Sequence, residues 1–188
     1  MICSHCCGTK RRVEIACPDD CVWLGAHAGS WAGRETEITR DLRRVAPHIE
    51  GLSDAQARLF FVALVGLTQM RARRPELGDR LVHEAVQALA RTAETREKGI
   101  LYEHRADDLR AQALVHEIAA IFEAKDEAGA PLVRDDRDLF AAILALEKAL
   151  GECLREEAGP AAFLETAGRV AARFAPPSPA ARPLIVQP

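Results

Sequence analysis

Five of the chain's six cysteines fall within its first twenty-one residues. Cys3-Ser4-His5-Cys6-Cys7-Gly8 and Cys17-Pro18-Asp19-Asp20-Cys21 read as C-x2-C(C) and C-x3-C, nine residues apart. Two such pairs are what a tetrahedral thiolate metal site needs. The first pair suits a tight turn, helped by Gly8, in which backbone N–H groups face the sulfurs. The second puts Cys17 at a helix start and Cys21 one turn along the same face, and a helix N-terminus favours thiolate over thiol. The expected ligands are Cys3, Cys6, Cys17 and Cys21, with Cys7, His5 and His27 as alternates. Cys7 is left over beside Cys6, as a buried thiol, a register alternative, or a reactive group activated by the metal and by Lys10, Arg11 and Arg12.

The expected metal is Zn2+; the alternative is an iron–sulfur cluster, because both take cysteine thiolates. Proline after Cys17 resembles a ferredoxin-type cluster, although the full spacing departs from both common ferredoxin patterns. Knuckle, short strand at Arg12-Val13-Glu14-Ile15, then ligand-bearing helix is similar in outline to a treble-clef or zinc-ribbon finger. That resemblance covers about twenty residues and implies no function.

The rest of the chain must carry this head. At 188 residues it is long enough for one domain with a substantial core. Hydrophobic residues make up 48%, charged residues 28% and aromatics only 5%, a balance that favours helices in an ordinary globule. The formal net charge of −3 argues against a surface built mainly for nucleic acid. Cys3, Cys6 and Cys7 interrupt the place where a secretory leader needs a basic and then an apolar run. The apolar run Leu59–Leu67 is about half the length of a membrane-spanning helix. A cytoplasmic protein without a membrane segment is expected, and there clustered cysteines stay reduced and bind metal rather than pair as disulfides.

Three regions follow from composition: a cysteine-rich head over 1–33, a helical bundle over 34–175 and a Pro-rich extended tail over 176–188. Ile38, Leu42, Val45 and Ile49 recur at helical spacing, with Pro47 kinking or ending the segment. Ser53-Asp54 caps a helix to about Arg74, apolar nearly all round and therefore central. Pro75 opens the next, with Leu77, Leu81, Ala85, Val86, Leu89 and Ala93 on one face and Gly99 as its stop. Asp107-Asp108 and Asp135-Asp136 start two more, the second with Cys153 on its apolar stripe, so that Cys153 belongs to the core. Gly159-Pro160 divides off a last helix with Phe163, Ala167, Val170 and Phe174 aligned. Short loops between these elements predict a mainly α fold, an antiparallel bundle of about five to six helices.

Other polar groupings carry less chemistry. His83-Glu84 and His116-Glu117 both sit in Leu-Val-His-Glu, but a di-iron bundle needs Glu-x-x-His, which is absent. Tyr102-Glu103-His104-Arg105 with Asp107 and Asp108 reads as a loop and helix cap before it reads as acid–base machinery. Arg71, Arg73 and Arg74 complement a helix C-terminus without needing phosphate. No phosphate loop, nucleophile elbow or HExxH motif is present, which points away from an enzyme. The expectation is a zinc-binding helical interaction or regulatory module. The rival is an iron–sulfur or thiol redox sensor. A protein partner engaged through the tail, where Leu184-Ile185-Val186 follow four prolines, is favoured over nucleic acid.

Overall fold

A computed structural model describes residues 39–125, 128–156 and 159–174. The chain divides into two units, Met1–Leu42 and Arg43–Pro188. The described residues are mainly helical: α1 (39–49), α2 (Asp54–Arg73), α3 (Asp79–Glu97), α4 (Leu109–Phe122), α5 (Asp136–Arg155) and α6 (Ala162–Phe174). The cysteine-rich head and the Pro-rich tail lie outside them. None of the helices described is long and apolar enough to cross a membrane.

Local signals place most of the helix starts. Ser53 Oγ accepts from Gln56 N while Gln56 Oε1 accepts from Ser53 N, a reciprocal capping box. The same glutamine donates to Asp138 Oδ1 at 3.0 Å, tying the start of α2 to the first turn of α5. Asp108 caps α4 and Asp135 caps α5, each accepting the N–H two residues on. α1 runs two residues past Pro47 before Gly51 turns the chain at a φ of +91°. Val45 is buried and Ile49 packs on the core, while Leu42 stays exposed.

α3 departs from expectation, beginning at Asp79 with Gly78 as its cap rather than at Pro75. The Arg71 guanidinium holds residues 75–77 in a loop by donating to the carbonyls of Pro75 and Leu77. Asp79 is then claimed by a distant element. Its N–H donates to Pro160 O at 2.8 Å, and its carboxylate accepts from Phe163 N at 2.7 Å and Leu164 N at 3.1 Å. Those two N–H groups belong to the first turn of α6, where no intrahelical acceptor exists. Asp79 therefore caps a helix more than eighty residues away. Gly78 permits the approach, since a Cβ there would lie 2.9 Å from Pro160 O.

Packing follows from that joint. α3 pairs with α5 in antiparallel register: Gln87 meets Glu147 and Arg96 meets Asp136. α2 lies against α4, α5 and α6, the central position its all-round apolarity predicts. α2 and α3, though joined by a short loop, scarcely touch. The bundle is thus not a simple succession of neighbouring hairpins. Its core contains Phe60, Leu64, Val86, Leu114, Ile143, Leu146 and Phe163, all fully buried. Gly66 of α2 leaves room for Ile121 of α4, whose Cδ1 would be 2.3 Å from an added Cβ.

Burial pushes the Asp79 carboxyl above its ordinary value, with Glu165 adding to the effect, against the lowering pull of the two N–H donors and Arg71. A folded pKa above the unfolded one means that folding favours the protonated form. That contribution is complete below the ordinary carboxylate value and is lost as pH rises through the raised value. The stability of the native chain relative to Asp79→Asn, which cannot titrate, should accordingly fall as pH rises through that window in urea titrations. A difference that does not vary with pH would refute the assignment. Asp79→Ala strands two buried donors and should cost about 2–4 kcal/mol in the same assay.

Candidate functional site

The loop after α3 does not wander. From Tyr102 to Asp108 it runs back along the helix it has just left, and alternate backbone groups are taken by side chains beneath it. Thr95 Oγ1 donates to Tyr102 O, His104 N donates to Thr92 Oγ1 at 2.8 Å, and Asp108 N donates to Glu84 Oε1 at 2.8 Å. Ala106 N donates to Gln112 Oε1 of α4 at 2.8 Å. Thr95, Thr92 and Glu84 lie on neighbouring faces of α3, so that helix holds most of the segment like a strap, with Gln112 of α4 taking Ala106.

Beneath the strap, α3, α4 and α5 enclose a cleft of about 600 Å³. That volume is in the range of small-molecule sites, roughly 300–1,000 Å³. Its floor is apolar, from Leu89, Ala93, Val115, Phe122, Leu139 and Ile143, and its rim carries Arg96, Glu103, His104, Gln112, His116 and Asp136. Arg96 Nε is 2.9 Å from Asp136 Oδ1, which joins α3 to α5 at the mouth. The rings of Tyr102 and His104 meet edge to face at 4.8 Å, and His104 Nε2 is buried without a hydrogen bond. Gln112 Nε2 lies 3.3 Å from His116 Nε2. Because Ala106 N–H occupies the oxygen end of that amide, the nitrogen end donates and His116 Nε2 accepts.

The cleft's size and its apolar floor with a polar rim are of the kind that holds a small, partly apolar molecule. The cleft's hydroxyl, Thr92, is engaged by the Ala88 carbonyl and the His104 amide rather than by a histidine ring. His83 lies outside the cleft, in a shallower groove with Gln87, Glu147 and Arg155. Burial lowers its pKa, Glu147 opposing and Arg155 adding to the effect. Glu117 pairs with Arg74 at 2.5 Å, so the two Leu-Val-His-Glu stretches do not converge on a shared site. Among the described residues, no group of three or more His, Cys, Asp or Glu side chains is placed to hold a metal ion.

Cys3, Cys6, Cys17 and Cys21, and the alternates Cys7, His5 and His27, lie outside the described residues. Cys153 sits in the core as its stripe predicts, and burial pushes its thiol up to about 11. It is therefore protonated at neutral pH and a poor nucleophile. The grouping Tyr102–Asp108 proves to be both loop and cap, as its composition predicts, and one wall of the cleft. Sequence patterning missed Gln112, Thr92 and Thr95. Between Leu101 and Asp107 the run Tyr102-Glu103-His104-Arg105-Ala106 holds no turn residue, which fits an extended segment, but nothing in it marks which helix would hold it.

No family model, curated protein or solved structure matches the chain.

Thr92→Val and Gln112→Leu each remove one acceptor beneath the strap. Each should lower stability by about 1 kcal/mol. The amides of His104 and Ala106 respectively should lose at least about tenfold of their hydrogen-exchange protection. Unchanged protection in both variants would show that the strap is held by something else.

Proposed function

We propose that the chain is a zinc-binding helical protein acting as an interaction or regulatory module, with the metal held by Cys3, Cys6, Cys17 and Cys21. The observation that carries this reading is the pairing of C-x2-C with C-x3-C inside twenty-one residues. The chemistry of the donor set fits zinc: four thiolates complete a closed tetrahedral shell with no open position for a reacting water, the mark of a structural site. Two further observations support it. The sixth cysteine, Cys153, is buried in the helical core and offers no thiolate, so thiol chemistry is concentrated in the head. The cleft beneath the strap has the apolar floor and polar rim of a binding site, without a paired nucleophile and base. In this reading the tail, through Leu184-Ile185-Val186, engages a protein partner by adding a strand or filling a groove.

The rival reading rests on Cys7, which a four-thiolate zinc site leaves unused. In an iron–sulfur or thiol redox sensor that fifth cysteine has work to do, as a resolving thiol or alternate ligand. One experiment separates the two: metal and sulfide analysis with an absorption spectrum, on full-length protein purified anaerobically without chelator. The zinc reading expects about one zinc per chain, no visible colour, and loss of the metal in Cys17→Ser/Cys21→Ser with most of the helical circular dichroism retained. Iron with matching sulfide and a broad band near ~400 nm would replace it with the cluster. Protein that binds neither metal would end the zinc reading and the cluster form of its rival, leaving only the thiol form.

A further inference from the structure

The strap has two edges, and among the described residues only one is used. Backbone groups of Tyr102, His104, Ala106 and Asp108 turn inward to Thr95, Thr92, Gln112 and Glu84. The spacing of those anchors fits an extended chain. Thr92 and Glu84 are eight residues apart on α3, about 12 Å along its axis, and four strand residues span about 13 Å. In an extended chain the intervening residues turn their N–H and C=O groups the opposite way. Among the described residues, the N–H and C=O groups of Glu103 and Arg105 meet no hydrogen-bond partner. Glu103 and Arg105 are both exposed. The open edge is flanked by exposed apolar side chains: Leu101 is 93% exposed and Leu109 86%.

An open edge of this kind is a template for another strand. We propose that it pairs with the same edge of a second copy of this chain, antiparallel about a two-fold axis at His104. The charge pattern selects that occupant and that register. With the axis at His104, Glu103 stands opposite Arg105 of the second copy and Arg105 opposite Glu103, two hydrogen-bonded pairs of complementary charge. Moving the axis by one residue to Glu103 or Arg105 sets like charges against each other, which is unfavourable. Moving it to Ala106 would bring in Asp107, where the chain already bends into α4. Two-fold symmetry makes the contact self-complementary and closed, so it yields a dimer rather than a filament. Each pair exchanges two backbone hydrogen bonds, and the exposed Leu101 side chains cover the ends of the ladder. This short ladder forms a weak, concentration-dependent dimer rather than an obligate one.

Sedimentation equilibrium of the full-length chain over a wide concentration range tests this, with circular dichroism checking that each variant folds. Wild type should associate reversibly to a dimer. Glu103→Arg and Arg105→Glu should each weaken association about tenfold or more, and the double variant Glu103→Arg/Arg105→Glu should restore it. Arg105→Pro, which deletes an outward N–H and no inward one, should weaken it without rescue. A chain that stays monomeric at millimolar concentration overturns the proposal. So does a dimer indifferent to Arg105→Glu, or a double variant no better than the singles. If wild type is monomeric yet its Glu103 and Arg105 amides resist exchange until Ile185→Asp is introduced, the edge belongs to the chain's own tail and not to a second copy.

Discussion

The helical unit turns on one buried carboxylate. Asp79 is the first residue of α3, yet its two oxygens serve α6, accepting the N–H groups of Phe163 and Leu164. α6 is short, at thirteen residues, and follows Pro160 and Ala161, neither of which supplies a capping side chain. Without Asp79, two donors in a water-excluded first turn would have no acceptor. Burial works against the charge while the donors and Arg71 work for it, and burial is the largest influence on its ionisation. The joint is therefore retained for its geometry. It sets where α6 begins, and α6 in turn covers the central helix α2.

That joint also explains why neighbours in sequence are not neighbours in space. Arg71 and Asp79 take both ends of the loop between α2 and α3, one to carbonyls within the loop and the other to α6. α3 is thereby turned toward α5, with which it forms the broadest contact of the unit. Its remaining surface is used twice, for α4 and for the strap. Thr92, Thr95 and Glu84 stitch the returning chain along the helix, and Gln112 fastens it to α4. The cleft is a by-product of this stitching, because Glu103 and His104 of the strap wall one side of a gap that α3, α4 and α5 leave over the apolar residues of its floor. That wall of the cleft is held by single hydrogen bonds, each of about 1 kcal/mol.

The basic cluster that ends α2 illustrates how such features are absorbed into a fold. Arg71 closes the loop, and Arg74 reaches Glu117 of α4. Both guanidiniums have internal work, which leaves little reason to assign them a phosphate. Cys153 is absorbed in the same way, as a small apolar side chain whose thiol burial has silenced. What stays outside the helical unit is the chemistry of the other five cysteines. Their spacing argues for a metal on grounds independent of how the helices pack.

Most of the helical layout was legible in the sequence, for a local reason. Ser53 with Gln56, Asp108 and Asp135 cap helices through bonds to residues two or three positions on, and apolar spacing marks the faces that Phe60, Ile143 and Phe163 bury. Such signals act within a turn or two, so they survive reading one residue at a time. The start of α3 was misplaced to Pro75, a residue with the right local conformation for a helix start, because Asp79's partners lie more than eighty residues downstream. The strap and the cleft were illegible for the same reason. His104, Gln112 and Thr92 are ordinary polar residues until α3 and α4 lie side by side, when hydrogen bonds across the helices give the loop its path and the cleft its rim. The sequence by itself determined the helices, their apolar faces and the case for thiolate ligands. The tertiary structure alone decided which helices meet, where the chain doubles back and which backbone edge is left open, because those outcomes depend on donors and acceptors that only folding brings within 3 Å of each other.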